Sequence, residues 1–221
     1  MKYLAVCRPL FLLLCAASPL FAAESESADA ADPVTPELSA RREAVIESFD
    51  RIPLNTAPGD AMFLRILVES TGAKRGVEVG TATGYGAMFM GLAFERNGGH
   101  LTTIDIDPDM VAAARKNLAD MKLEETVKVV EGDALEVLPT LEGEYDFVFI
   151  DAVKSDYLNY FQALEPRLVP GSVIVADNVI RSAGAMKDFL DFMKNSRNYH
   201  MVVIRASELK RDGMAVIYKL K

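Results

Sequence analysis

The sequence predicts a doubly wound α/β sheet that ends in an antiparallel hairpin, and three observations point to it. From residue 38 onward, short apolar runs alternate with helix-length segments, the pattern of parallel strands joined by crossover helices. Two of the runs are almost wholly apolar, as strands covered on both faces should be. The last two runs are separated only by residues 207–213, too few for a crossover helix, so this pair must be antiparallel.

Taken in order, residues 38–49 and 60–70 read as helices, the second stopped by Gly72. The strand runs are 76–79, 101–104, 127–130, 147–150, 172–176, 200–204 and 214–218. Helical segments fill 85–97, 108–121, 134–141, 157–168 and 184–195. At 221 residues and 24.2 kDa there is room for one domain with an appendage, here residues 37–221. No internal repeat is visible.

The appendage is read from composition. Lys2 and Arg8 flank the start of an apolar stretch over 9–23, shorter than the ~20 residues a membrane helix needs. A basic start, a short apolar middle and small residues at the end describe a secretory signal. An uncleaved signal-anchor stays open, because Phe21 interrupts the small-residue cleavage pattern at Ala22-Ala23. Either way the expected location is exported, periplasmic or secreted, or membrane-anchored through residues 1–23. Residues 24–36, acidic and Pro-bearing, read as a flexible linker.

Charge and cysteine use narrow the chemistry. A net charge of -8 argues against nucleic acid, whose phosphates demand a basic face. Cleavage after Ala23 removes Lys2 and Arg8, which takes the charge to -10, and also removes Cys7 and Cys15. The mature chain then has no thiol for a disulfide, a metal site or a nucleophile. His100 and His200 stand far apart and unaccompanied, so a histidine zinc site is not expected.

In an open parallel sheet, ligands collect beyond the carboxyl ends of the strands. Four runs here end in acids: Glu78, Asp105, Asp151 and Asp177. Like charges gathered at one edge repel, so a cation or a set of hydroxyl donors is expected among them. The first loop, Gly80-Thr-Ala-Thr-Gly84-Tyr85-Gly86, is either a tight turn or an approach path to a helix N-terminus that attracts anions. Three residues between its first two glycines, where the dinucleotide fingerprint has one, favour a small carboxylate over a pyrophosphate. Asp107-Pro108 already supplies the next helix cap, which leaves Asp105 for the hydroxyls of a ribose. Asp133 opens a helix with Glu136 three residues on, so helix capping and adenine recognition are both open to it.

Asp151 and the pair Asp177-Asn178 offer three oxygen ligands from neighbouring strand ends, a set that suits Mg²⁺. Lys154 lies three residues past Asp151. The ammonium form of a lysine beside a dication is disfavoured, which makes Lys154 a candidate general base.

Together these segments resemble the metal-dependent S-adenosylmethionine O-methyltransferases, the catechol and caffeoyl-CoA O-methyltransferase-like proteins. The resemblance is carried by Glu78-Val-Gly-Thr-Ala-Thr-Gly-Tyr85, Thr103-Ile-Asp105, Glu131-Gly-Asp-Ala134, Tyr145-Asp-Phe-Val-Phe-Ile-Asp151-Ala-Val-Lys154 and Val175-Ala-Asp177-Asn178. It covers about 54–220, with Asp212-Gly213 before the last strand. It implies a Rossmann-like, seven-stranded sheet with the last strand antiparallel, the class I methyltransferase fold. Glu78, Gly80 and Tyr85 would shape the methionine end of the cofactor site. Asp105 would hold the ribose, and Asp133 and Ala134 would face the adenine. Asp151 would border the cofactor and, with Asp177 and Asn178, bind Mg²⁺ or a similar cation, with Lys154 as the base. The implied partner is a small phenolic, vicinal-diol acceptor, with a homodimer left open as the assembly.

The family pattern is departed from in three places. Gly86 stands where many relatives have a serine, Ile180-Arg181 where an aromatic often walls the substrate, and Ala152-Val153 supply no aromatic platform. A guanidinium at 181 suggests a polar or anionic acceptor. The cofactor is made in the cytosol, so an export segment must either anchor a protein that faces it or imply a supply elsewhere. Two other readings compete: an exported binding protein of the same fold without turnover, and a nicotinamide-dependent oxidoreductase.

Overall fold

The computed structural model describes residues 34–207 and 209–221. Its strands are β1 (Arg75–Val79), β2 (His100–Asp105), β3 (Val127–Glu131), β4 (Tyr145–Ile150), β5 (Leu168–Ala176), β6 (Tyr199–Ser207) and β7 (Asp212–Lys219). They form one sheet in the order β3-β2-β1-β4-β5-β7-β6. β7 runs antiparallel to both of its neighbours, to β6 as the short connection required and also to β5. The helices are α1 (Pro36–Glu47), α2 (Pro58–Thr71), α3 (Tyr85–Asn97), α4 (Pro108–Asp120), α5 (Ala134–Val137), α6 (Tyr157–Leu164) and α7 (Lys187–Asn195). Residues 34–221 make one compact unit.

Residues 147–150 of β4 show why that part of the strand is an unbroken apolar run. Phe147 and Phe149 point into one buried cluster with Leu64, Met88 and Phe94; Val148 and Ile150 point into the other, with Tyr157, Phe161 and Phe189. Successive side chains alternate across the pleat, so a strand covered on both sides has no polar position to offer.

Element boundaries move where proline or a cap intervenes. The segment 134–141 is a single α-turn followed by a 3-10 turn at Leu138–Thr140, and 157–168 changes to 3-10 at Glu165–Arg167. Pro139 and Pro166 lack the N–H that would continue the α-helical ladder. α1 starts at Pro36, with the Thr35 hydroxyl accepting from Leu38 N, so the last residues of the expected linker belong to a helix cap. Residues 24–33 of that linker, the signal segment 1–23 and both cysteines lie outside the described residues. Among the described residues no helix is long and apolar enough to cross a membrane.

The first strand–helix turn depends on one glycine. Gly80 has φ +96°, and a Cβ there would lie 2.2 Å from the carbonyl oxygen of Asp151 on the neighbouring strand end. Both the dihedral and the contact are with backbone, which cannot give way. Gly80→Ala is expected to destabilise the fold by about 2–4 kcal/mol, read as a drop in the urea midpoint at unchanged m-value.

Candidate active site

Strand order reverses at β1, whose neighbours are β2 and β4. At this switch point the carboxyl ends of the strands open into a cleft of about 540 Å³. Gly80, Asp105, Asp133 and Ala134 line it on one side, and Asp151, Lys154 and Asn178 on the other. These residues come from five separate stretches of chain that the topology alone brings together.

The glycine-bearing turn is held from three directions. Ala82, at φ +47°, donates its N–H to Asp105 Oδ2 at 2.8 Å. Thr83 Oγ1 donates to Asn55 Oδ1 at 3.0 Å, which ties the turn to the 52–57 loop, and Asn117 Nδ2 donates to Thr83 O at 2.9 Å. The turn delivers α3 with Gly84 as a left-handed N-cap and no side-chain capping bond. Asn55 Nδ2 is buried without a partner among the described residues, an unmet donor of the kind that costs about 1–3 kcal/mol unless a ligand answers it.

Asp105 is less free than its place after the strand suggested. Besides the bond from Ala82 N, its Oδ1 accepts from Asp107 N at 3.0 Å. Asp107 does cap α4, through Asp109 N and Met110 N, but Asp105 organises the same turn. A carboxylate has about four acceptor sites, so two remain for ribose hydroxyls. Asp133 is a helix cap, accepting from Leu135 N at 2.8 Å, and it also lines the cleft. Both of its readings therefore survive.

Glu78 and Tyr85 sit differently from expectation: neither lines the cleft. Glu78 is 1% exposed and accepts from Thr103 Oγ1 at 2.5 Å; Thr103 is its register partner on β2 and in turn contacts Thr81 Oγ1. Tyr85 is packed between Phe49 and Phe89, ring centroids 5.0 and 5.1 Å away, with Arg51 over its ring. Both side chains support the turn from beneath, because the strand pleat and the first turn of α3 direct them into the core. Gly86 is explained by the same packing. A Cβ there would stand 2.9 Å from Thr56 Oγ1 and 3.0 Å from Glu78 Oε1. Thr56 Oγ1 and Glu78 thus leave no room for a side chain at this position.

Burial pushes the Glu78 carboxyl up to about 8, against the Thr103 hydrogen bond; Asp151 and Asp105 add to the rise. The folded state then holds a proton that the unfolded state releases above its ordinary value of 4.5. Stability from this group is complete below pH 4.5 and is lost as pH rises to about 8. Wild-type protein is expected to lose up to about 1.4 kcal/mol per pH unit across that window from this one site. Glu78→Gln keeps an acceptor for Thr103 and does not titrate. Thermal melts of the two proteins between pH 5 and 8 should therefore converge at the acid end and separate at the basic end, with the variant more stable.

On the other side of the cleft, Lys154 Nζ donates to Asp151 Oδ1 at 2.7 Å and to Tyr157 Oη at 2.9 Å. Tyr157 donates onward to the Asp177 carbonyl at 3.2 Å. Its phenol is pushed well above the ordinary range by burial and by Asp151 and Asp177, so it stays a neutral donor. Asp177 is wholly buried; its Oδ1 accepts from Asn178 N, and its Oδ2 has no partner among the described residues. Burial first, then the Asp151 charge, raise its carboxyl to about 7, while Asn178 N–H and Lys210 pull the other way. Asn178 adopts φ +60° beside it.

A buried carboxylate oxygen with no partner, next to a second carboxylate and an amide, fits a hard divalent cation. Among the described residues no group of three or more His, Cys, Asp or Glu is placed to hold a metal. The candidate set has only two acids, Asp151 and Asp177, plus the amide of Asn178.

Three contributors were given no role from sequence, although Thr103 and Asp212 fall within the quoted motifs. Tyr157 is one helical turn beyond Lys154, a spacing that could have marked it. Thr103 breaks an apolar strand directly opposite Glu78, a visible signal once register is known. Asp212 is buried at 4% exposure and accepts from the N–H groups of Ile180 and Arg181 at 3.0 Å each, thereby shaping the loop after β5. Nothing local to residue 212 foretells that.

A seven-stranded sheet of this order, with β7 reversed and an acidic rim at the switch point, is the class I methyltransferase fold. The chain belongs to the O-methyltransferase family, whose model matches residues 25–216. It is 37% identical to a catechol O-methyltransferase of Niastella koreensis over 139 residues, 61% of this chain and 62% of that protein. With a catechol O-methyltransferase of Mycobacterium tuberculosis it shares 36% identity over 127 residues, 57% of each chain. The match thus spans about 60% of the length of these curated relatives. Among solved structures, the O-methyltransferase TomG from Streptomyces achromogenes in complex with SAM superposes with a TM-score of 0.73 at 25% identity, over 85% of this chain and 91% of that one.

Proposed function

We propose that the protein transfers a methyl group from S-adenosylmethionine to one hydroxyl of a small catechol-like phenol. Asp151, Asp177 and Asn178 would hold a divalent cation such as Mg²⁺, and Lys154 would be the general base. The observation that carries this reading is the arrangement of Lys154 between Asp151 and Tyr157, beside the partnerless Asp177 Oδ2. The names of the curated relatives support the acceptor class, and the complex formed by TomG supports the cofactor.

A bound divalent ion would lower the pKa of a phenolic hydroxyl from its ordinary ~10. The cofactor's sulfonium supplies an already activated methyl group. What the chain itself does follows from its hydrogen bonds. A neutral lysine amine has two N–H donors and one lone pair. With the donors held by Asp151 and Tyr157, the lone pair is left to take the phenol proton onto Nζ. The oxygen so deprotonated would be the nucleophile for the cofactor's methyl group, and the electron pair of the broken sulfur–methyl bond would stay on sulfur. Lys154, a quarter exposed, passes its proton to solvent. Asp105 and the Asp133-Ala134 turn would hold the nucleoside end, which keeps donor and acceptor oriented.

The test is methyl transfer from S-adenosylmethionine across a catechol panel, with and without chelator. Transfer that survives complete metal removal refutes the cation's role. Cofactor binding without transfer to any acceptor would favour the binding-only alternative. Export or anchoring through residues 1–23 belongs to the same proposal, and N-terminal sequencing of the mature protein decides it.

A further inference from the structure

We propose that the side-chain amide of Asn55 donates to the carboxylate at the amino-acid end of the cofactor, so that a residue outside the glycine-bearing turn decides how firmly that end is held; this deepens the methyl-transfer reading above and rests on it. Three observations converge on the amide.

The first is an unmet donor with a fixed direction. Asn55 is 3% exposed. Its Oδ1 accepts from Ile52 N at 2.9 Å and from Thr83 Oγ1 at 3.0 Å. Only the oxygen can answer the Ile52 N–H, so the amide cannot flip without stranding a second donor. Nδ2 is left with no partner among the described residues. A buried amide N–H in that state calls for an acceptor.

The second is where the amide stands. Thr83 immediately precedes Gly84, the N-cap of α3. Thr56, the residue after Asn55, brings its Oγ1 to 2.9 Å from the Cβ position of Gly86 in the first turn of that helix. Asn55 is thus packed against the start of a 13-residue helix whose cap makes no side-chain bond to the first N–H groups. Such an end attracts an anion. Leu54 on one strand of this contact and Ala82 on the other both line the cleft, so the amide lies at the cleft's edge.

The third is what the turn cannot supply for itself. Positions 80, 84 and 86 are glycine, and Gly86 has no room for a side chain. Thr103 donates to Glu78, so Thr81 directs its hydroxyl proton to Thr103, and Thr83 directs its own to Asn55. A side-chain donor for an anion at this helix end therefore has to come from the 52–57 loop. Glu78 does not repel that anion near neutral pH, because burial raises its carboxyl to about 8 and it keeps its proton. For a cofactor whose nucleoside lies along Asp105 and Asp133, the anion at this end is the carboxylate of its methionine part.

The experiment measures binding to the full-length protein of two ligands, S-adenosylmethionine and its decarboxylated analogue. Wild type is expected to hold the first about tenfold more tightly, the size of one charge-assisted hydrogen bond. Asn55→Asp keeps an oxygen for Ile52 N and Thr83 and removes the donor; Asn55→Ala removes the donor without adding charge. In both, the preference should fall to within about twofold of unity or reverse, with the analogue bound no worse than about threefold. Equal weakening of both ligands in Asn55→Ala would make Asn55 a loop tether only, and a preference lost in Asn55→Asp but kept in Asn55→Ala would trace the effect to the added charge. Either result, or a wild type that does not distinguish the two ligands, overturns the inference while methyl transfer stands. A wild type that binds neither ligand overturns the functional reading itself, and this inference with it.

Discussion

Lys154→Met is expected to lower kcat by about 10²–10⁴-fold while the dissociation constant for S-adenosylmethionine stays within about twofold. The side chain donates to Asp151, one of the proposed cation ligands, and to the buried Tyr157, the two contacts on which its proposed role as base rests. Arginine should not rescue it, since a guanidinium does not give up its proton in a protein. Tyr157→Phe removes one of the two bonds that orient the amine and should cost about tenfold. Single-turnover rates across pH are the measurement. The limb of the profile governed by the base should vanish in Lys154→Met and persist in Tyr157→Phe. Equal losses of cofactor binding and turnover in Lys154→Met would mean that the lysine is structural.

Asp177→Asn is expected to separate activity from stability. Asp177 is fully buried, its Oδ2 lacks a partner, and its carboxyl is raised to about 7. A raised carboxyl disfavours its own ionised form, so near neutral pH the amide should leave the melting temperature unchanged or higher. Turnover should nevertheless fall by about 10²–10⁴-fold, because the amide is a weaker ligand for a hard dication. Chelation of the wild type should produce a loss of the same order, reversed by added Mg²⁺. A variant that melts earlier and retains its turnover would contradict both halves.

The sheet could be read almost completely from sequence, because each strand is a local apolar run and each crossover a local helix. The antiparallel pairing of β6 and β7 was legible from the length of one connection, whereas the reversal of β7 rather than β6 was implied only by the family resemblance. The cap at Asp107 was equally local. What could not be read depends on contacts between distant stretches: Asp105 sharing its oxygens with Ala82, Glu78 meeting Thr103 across two strands, Thr56 filling the space above Gly86, and Asp212 organising the loop after β5. These are consequences of register and close approach, which leave no mark on the residues' own neighbourhoods. Sequence named the acids at the strand ends correctly but could not say which of them would face the cleft and which would be buried beneath it.

The placement of β7 has a bearing on how the protein matures. It is the last strand in chain order, yet it lies inside the sheet, between β5 and β6. A polypeptide leaving the ribosome can stack its first five strands early, but the wall built on Asp212 waits until nearly all of the chain is out.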